Sequence, residues 1–188
     1  MKYNFARKTF FTFFIGFIFV VGRVAQGDNA AYRVAPPPLS VPSGSAGEVR
    51  RIISQFDSWT LICDENRRQH TGICNVSQVV FDAHDLMIFS WSLVTSKDGR
   101  PFVLLRTLST ADIKRPIELY LPGQKAPLRL AYKGCEGNVC LAQAPVGPLL
   151  SQAIKSEVDV RIRYWLRSDQ SYDLQVPFKG LSAAINSL

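Results

Sequence analysis

Histidine is scarce in this sequence: His70 and His84 are the two found in 188 residues. His84 lies in the run Asp-Ala-His-Asp at residues 82–85, where a strand would point neighbouring side chains to opposite faces. His70 lies in a polar stretch between two cysteines. Because metal centres and proton-transfer sites draw heavily on histidine, we predict no metal site and favour solvated loops at both positions.

Sequence motifs of catalytic and cofactor sites are missing as well. There is no G-x-S-x-G nucleophile elbow, no G-x-x-x-x-G-K phosphate loop and no G-x-G-x-x-G dinucleotide loop. Two of the 15 acidic residues could still meet as a carboxylate pair for glycoside hydrolysis, but no spacing singles out a pair. We therefore predict no enzyme activity and no cofactor, and keep an envelope-polymer hydrolase as a remote alternative.

The excess of basic residues is small once the first 27 residues are set aside. The chain has 22 Lys and Arg against 15 Asp and Glu, but four of the bases lie in residues 1–27, which hold no acid. The rest of the chain keeps 18 bases against 15 acids, a net charge of +3. A charge of this size serves solubility, so the sequence predicts no nucleic-acid partner.

Residues 1–27 are typical of a secretory signal peptide. A basic start precedes an uncharged apolar run at residues 9–21, and Ala25 and Gly27 place small residues before a cleavage site at Asp28. An uncut signal anchor is the alternative, but 13 helical residues reach about 20 Å, short of a hydrocarbon core of about 30 Å. No second long apolar run follows. We predict export to the periplasm, the outer membrane or the medium, with no transmembrane span after cleavage.

All four cysteines (Cys63, Cys74, Cys135 and Cys140) follow the signal peptide. An even number in an exported chain predicts disulfides, and the residues alone leave three pairings open. The C-x4-C spacing of the second pair differs from the C-x-x-C of thiol oxidoreductases, and a four-cysteine zinc site usually has closer pairs at both ends. We therefore interpret the cysteines as structural.

Residues 28–48 contain four prolines together with serine and glycine, so they predict an extended linker. A proline-rich ligand for another protein module is the alternative interpretation. Residues 49–188 then form the folded domain.

The domain has mostly a two-residue hydrophobic period, broken by turn signals such as Asp98-Gly99. Eight short strands at this spacing predict an all-β sandwich or barrel. Two helices are expected to cover an edge or an end of the sheets. The predicted strands are residues 59–63, 77–83, 86–94, 101–108, 117–121, 128–132, 158–166 and 172–178, and the predicted helices are 148–156 and 182–188.

Basic residues cluster at two places that are candidates for partner binding. Arg67 and Arg68 lie between the first two cysteines, and Arg161 and Arg163 share one face of a strand with Trp165. Such a face suits an anionic polymer or a partner protein. The alternative is a solvated outer face of an antiparallel sheet.

Three segments of the domain, taken together, resemble the invasion-associated locus B family. They are the opening F-D-S-W-T-L-I-C at residues 56–63, followed by Cys74; the second cysteine pair within G-C-E-G-N-V-C-L-A at 134–142; and the close L-Q-V-P-F-K-G-L-S-A-A at 174–184. The resemblance spans about residues 50–188. The sequence departs from the family pattern at Leu181, where phenylalanine is frequent, and in its long proline-rich spacer.

The resemblance implies an exported protein of Gram-negative, alphaproteobacterial type and an immunoglobulin-like β-sandwich with a disulfide inside each cysteine pair. Members are associated with the envelope, and the founding ones with entry into host cells. The family supplies no catalytic residues to carry over. We therefore predict a non-enzymatic envelope protein that binds a protein or envelope partner in host-cell invasion. A periplasmic accessory factor for envelope homeostasis is the alternative.

Overall fold

The computed structural model describes residues 32–39, 45, 47–95 and 100–188. These residues form antiparallel strands and two short helices. The strands are β1 (Tyr32–Ala35), β2 (Val49–Phe56), β3 (Trp59–Asn66), β4 (Thr71–Asp82), β5 (Met87–Thr95), β6 (Pro101–Leu108), β7 (Ile117–Tyr120), β8 (Leu128–Leu130), β9 (Tyr132–Glu136), β10 (Val139–Pro145), β11 (Val160–Trp165) and β12 (Ser171–Val176). The helices are α1 (Pro148–Ser156) and α2 (Leu181–Ile185).

The strands form two sheets that share one hydrophobic core. The large sheet has the order β2-β3-β4-β5-β6-β10-β9, with β1 added to β4, and the small sheet has the order β12-β11-β7-β8. The chain passes from the small sheet to the large one between Leu130 and Tyr132, where β8 gives way to β9. The predicted all-β sandwich with two short helices is confirmed.

Alternation along the strands decides which side chains enter the core. In β11, Val160, Ile162 and Tyr164 are fully buried, whereas the arginines between them face outward. In β5, Phe89 and Trp91 are buried on the face that the two-residue period predicts, and the other face of this central strand is buried as well. Burying one such large apolar side chain contributes about 1.5–3 kcal/mol, so these stripes hold the two sheets together.

Tyr164 joins the two sheets through a hydrogen bond inside the core. The register of β4 with β5 shifts between Val80 and Phe81, which leaves Ile88 as the extra residue of a β-bulge. The Tyr164 hydroxyl of the small sheet donates to the carbonyl of Ile88 at 2.5 Å. Burial raises the pKa of Tyr164 well above its ordinary value, so the hydroxyl remains a donor.

A buried glutamine links the large sheet to the segment after β12. The Gln78 side chain accepts a hydrogen bond from Trp91 Nε1 at 2.8 Å and donates to Ser58 Oγ at 2.8 Å and to the Pro177 carbonyl at 3.0 Å. Trp59 Nε1 donates to the same carbonyl at 3.1 Å. Gln78 is 0% exposed, and the bonds to both of its amide atoms remove the cost of burying that amide.

The C-terminal segment covers the part of the large sheet near β2 and β3. Phe178 packs on Trp91 and Trp59, with ring centroids 4.8 and 6.0 Å apart, and α2 packs against β2, β3 and β4. Gly180 lies directly against the backbone of Phe56, in the left-handed region with φ 88°. Leu181, the departure from the family pattern, is fully buried at the start of α2.

Both disulfides join residues that face each other across neighbouring strands. Cys63 of β3 pairs in register with Cys74 of β4, and Cys135 of β9 with Cys140 of β10, and each pair is bonded. The pairing implied by the family resemblance is therefore confirmed.

Two of the sequence predictions fall on residues that the structure does not describe, and others differ from the structure. The signal peptide and the Asp98-Gly99 turn lie outside the described residues, although Thr95 and Pro101 on either side of that turn are paired. Residues 32–35, assigned to the linker, are extended as expected but form β1 on the edge of β4. Residues 49–56 and 132–145 contain strands β2, β9 and β10, which the pattern largely missed.

No helix in the described part of the chain has the length and apolarity needed to cross a bilayer.

Candidate interaction surfaces

The outer face of the small sheet carries a row of alternating charges. Strand register places Arg163 of β11 beside Asp173 of β12 on one side and Glu118 of β7 on the other, and Glu118 beside Arg129 of β8. The row therefore has the order acid, base, acid, base across four strands. Opposite charges on directly facing residues stabilise an antiparallel pair, so the row supports the sheet itself.

Hydrogen bonds close this row into a network. Arg163 donates from Nε and Nη2 to one oxygen of Asp173 at 3.1 and 2.5 Å, and Arg129 Nε lies 3.1 Å from Glu118. The Tyr120 hydroxyl donates to Glu118 at 2.6 Å. The hydrogen bonds that Tyr120 and Arg129 donate lower the pKa of Glu118, and the hydrogen bond to Asp173 raises the pKa of Arg163. Glu118 and Arg163 are thus both charged at neutral pH.

Arg161 belongs to the same network but keeps more of its surface in solvent. Its Nε lies 2.8 Å from Asp173, and its guanidinium lies over the Tyr120 ring, 4.6 Å from the centroid. Arg161 and Arg163, predicted from sequence as partner contacts, therefore share the carboxylate of Asp173 on the outer face of the small sheet. The ion pairs with Asp173 give both arginines a structural role in the small sheet. Their role in partner binding remains a prediction.

The other predicted pair, Arg67 and Arg68, lies at the tip of the β3–β4 hairpin, residues 66–72. Both residues are exposed there. Asn66 Oδ1 accepts hydrogen bonds from the backbone N–H groups of Arg68 and Gln69, both at 3.0 Å, which fixes the turn. The Arg68 side chain is 76% exposed and reaches Glu48 only at 3.8 Å. The guanidinium of Arg67 has no hydrogen bond or ion pair within the described residues.

The base of this hairpin is held by a disulfide and an ion pair. The Cys63–Cys74 disulfide crosses it three residues before the turn region, and Arg51 of β2 holds Asp64 of β3 through two hydrogen bonds at 2.6 and 2.5 Å. The hydrogen bond from Arg51 lowers the pKa of Asp64. An open depression beside the tip is lined by Arg50, Glu65, Asn66, Arg67, His70, Thr71 and Gly72.

The two predicted arginine pairs are not brought together. Arg67 and Arg68 lie in a turn of the large sheet, and Arg161 and Arg163 lie on the outer face of the small sheet. Among the described residues, no hydrogen bond or ion pair connects the two pairs. They are two separate surfaces.

The residues near His84 form a turn. Asp82 Oδ1 accepts the backbone N–H groups of His84 and Leu86, at 2.8 and 2.9 Å, and Asp85 pairs with Arg33 at 2.6 Å. Within residues 32–39, 45, 47–95 and 100–188, no three His, Cys, Asp or Glu side chains cluster as metal ligands would.

Sequence reasoning missed the partners of the arginines. Glu118, Tyr120 and Asp173 occupy outward positions of predicted strands, so alternation could have placed them on a surface. Their meeting with Arg163 depends on the strand order β12-β11-β7-β8, which alternation does not reveal.

A family model described as invasion associated locus B (IalB) protein matches residues 59–188. This chain belongs to the invasion associated locus B family. A solved structure, that of invasion associated protein B from Bartonella henselae, is similar with a TM-score of 0.61 and 15% identity, covering 72% of this chain and 93% of that one. At such low identity the likeness shows the fold alone. No curated protein sequence matches this chain.

The match defines which elements belong to the invasion associated locus B domain. It begins at Trp59, so the hairpin tip, the small sheet and both disulfides lie inside it. Strands β1 and β2 precede it, and the sequence resemblance is confirmed over the matched residues.

Proposed function

We propose that this member of the invasion associated locus B family is an exported, non-enzymatic envelope protein that binds a partner during host-cell invasion. The partner contacts the hairpin tip through acidic groups. Family membership, the two disulfides and the lack of catalytic sequence motifs support this proposal.

The observation that carries the proposal is the combination of exposed charge at the hairpin tip with a disulfide at its base. Arg67 has no side-chain partner in the described region, and Arg68 is mostly exposed. The disulfide below them limits the conformations of the free hairpin, so less conformational entropy is lost when a partner binds. Arg161 and Arg163 already satisfy Asp173 and are the weaker candidates.

Charge reversal at the hairpin tip tests this proposal. We expect Arg67→Glu/Arg68→Glu to weaken binding of the mature protein to cultured animal cells by about tenfold or more, because two attractive charges become repulsive. Binding is measured by flow cytometry with a fluorescently labelled protein.

The control is Lys125→Glu/Lys133→Glu, which makes the same change in net charge at two exposed positions elsewhere. Equal loss of binding in both double variants would mean that net charge, and not the hairpin tip, determines binding. Unchanged binding of the arginine variant would remove the tip from the site.

Exposure at the cell surface is the second part of the proposal. Protease treatment of intact cells is expected to remove the mature protein, as followed by immunoblot beside a lysed control and a periplasmic marker. Protection until the outer membrane is broken would contradict a surface role and favour a periplasmic accessory factor in envelope homeostasis.

A further inference from the structure

We propose that β1 is an exchangeable strand, so that residues 32–35 of one copy occupy the β1 position on a second copy and join the two chains. The surface that receives β1, here called the β1 slot, consists of the edge of β4 at Val79–Asp82 together with Gln175 of β12 and Asp85.

The β1 slot exists because β4 is longer than its neighbour β3. The first part of β4, up to Ser77, pairs with β3, and residues 79–82 pair with β1. β5 overlaps both parts and takes the opposite edge of β4. Without β1, the edge of β4 at Val79–Asp82 would present unpaired backbone groups, which are a template for another strand.

Side chains make the β1 slot selective for the sequence that fills it. The Tyr32 hydroxyl accepts from the backbone N–H of Gln175 at 2.5 Å and donates to the carbonyl of the same residue at 3.2 Å. β1 thus bridges the two sheets and covers backbone groups at the free edge of β12. Val34 packs against the core.

Arg33 adds a third element of recognition on the other face of β1. Its guanidinium lies 4.8 Å from the centre of the Phe81 ring and pairs with Asp85 at 2.6 Å. The β1 slot therefore fits the order tyrosine, base, aliphatic residue. Residues 32–34 of this chain have that order, and a second copy carries it as well.

The strand and its slot are separable parts of the molecule. Val79–Asp82, Asp85 and Gln175 all lie within the family match at 59–188, whereas β1 lies outside it. Exchange between copies would break and remake the same contacts, which is what makes strand exchange a low-cost route to dimers.

The segment after β1 supports exchange. β1 cannot continue along β4 beyond Ala35, because β3 begins to pair with the same edge at Ser77, opposite Thr60. The chain therefore leaves the sheet at Pro36. Pro36, Pro37 and Pro38 disfavour a tight return because each fixes its own φ. Residues 36–48 can span at most about 45 Å, which places the cis strand at an effective concentration in the millimolar range. Exchange therefore competes at similar protein concentrations.

Cross-linking between two different variants tests the proposal. Ala35 faces Val79 in register, so a mixture of Ala35→Cys and Val79→Cys chains at about 1 mM should form a disulfide-linked heterodimer after mild oxidation. We expect at least about fivefold more heterodimer than from Ala35→Cys mixed with Arg50→Cys, whose thiol lies on β2 away from the β1 slot. The product is quantified on non-reducing gels and by mass spectrometry.

Two further variants make the result decisive. The double variant Ala35→Cys/Val79→Cys should cross-link within one chain at micromolar concentration, and failure to do so would show that β1 does not occupy the slot. Adding Tyr32→Ala to the Ala35→Cys chain should reduce the heterodimer at least about fivefold, because the bond to Gln175 is lost. A heterodimer at the control level, or one indifferent to Tyr32→Ala, would overturn the proposal.

Discussion

Replacing Gly180 by alanine is expected to lower the free energy of unfolding by about 3–5 kcal/mol. An added Cβ would lie 2.3 Å from the carbonyl oxygen of Phe56 and 2.7 Å from its carbonyl carbon. Both are backbone atoms, so no side-chain rotation can relieve the contact. The φ of 88° adds about 1–2 kcal/mol for any residue with a Cβ. Guanidinium chloride unfolding with the disulfides intact, followed by tryptophan fluorescence, measures the loss.

Gly123→Ala is the matched control. Gly123 also has a left-handed backbone, with φ 74°, but an added Cβ there meets no atom within 4 Å. This variant should lose only the backbone contribution of about 1–2 kcal/mol. If both variants are equally destabilised, the contact with Phe56 does not explain the need for glycine at position 180.

Replacing Gln78 by leucine is expected to cost about 2–4 kcal/mol, although leucine is similar in size and apolar. The substitution leaves the buried Trp91 Nε1–H without an acceptor and removes the donor to Ser58 and Pro177. We also expect a weaker near-ultraviolet circular dichroism signal, since Trp91 packs against Trp59 and Phe178. Chemical unfolding of the variant gives the energetic loss.

Gln143→Leu makes the same chemical change at an exposed position of β10. It should alter the free energy of unfolding by no more than about 0.5 kcal/mol. If Gln78→Leu also changes the free energy of unfolding by no more than about 0.5 kcal/mol, the hydrogen bonds of Gln78 contribute no more to stability than the packing of a leucine in their place.

The fold was predictable where local pattern and final environment agree. The strand Pro101–Leu108 and the helix Pro148–Ser156 match their sequence predictions to the residue. β2 was missed because it is an edge strand whose inward and outward residues are both partly exposed, so Val49–Phe56 shows no apolar alternation. β1 was missed because its pairing depends on the extra length of β4.

For the candidate surfaces as well, some features could be predicted from local sequence and others depend on the strand order. Exposure of Arg67 and Arg68 follows from their position between two strands of a hairpin, which local sequence indicates. The partners of Arg161 and Arg163 come from strands β7 and β12, and only the three-dimensional strand order brings Asp173 and Tyr120 to them. Likewise, the requirement for glycine at position 180 depends on Phe56, which is remote in sequence.

The pairing of the cysteines has a consequence for how the protein matures. The bonds join the first cysteine to the second and the third to the fourth, with sequence separations of 11 and 5 residues. When such a chain crosses a membrane with its N-terminus first, each native partner is the next thiol to emerge. Under the proposed export, an oxidase that joins thiols in order of their appearance would therefore make both correct bonds during translocation, with no disulfide isomerase required to correct them.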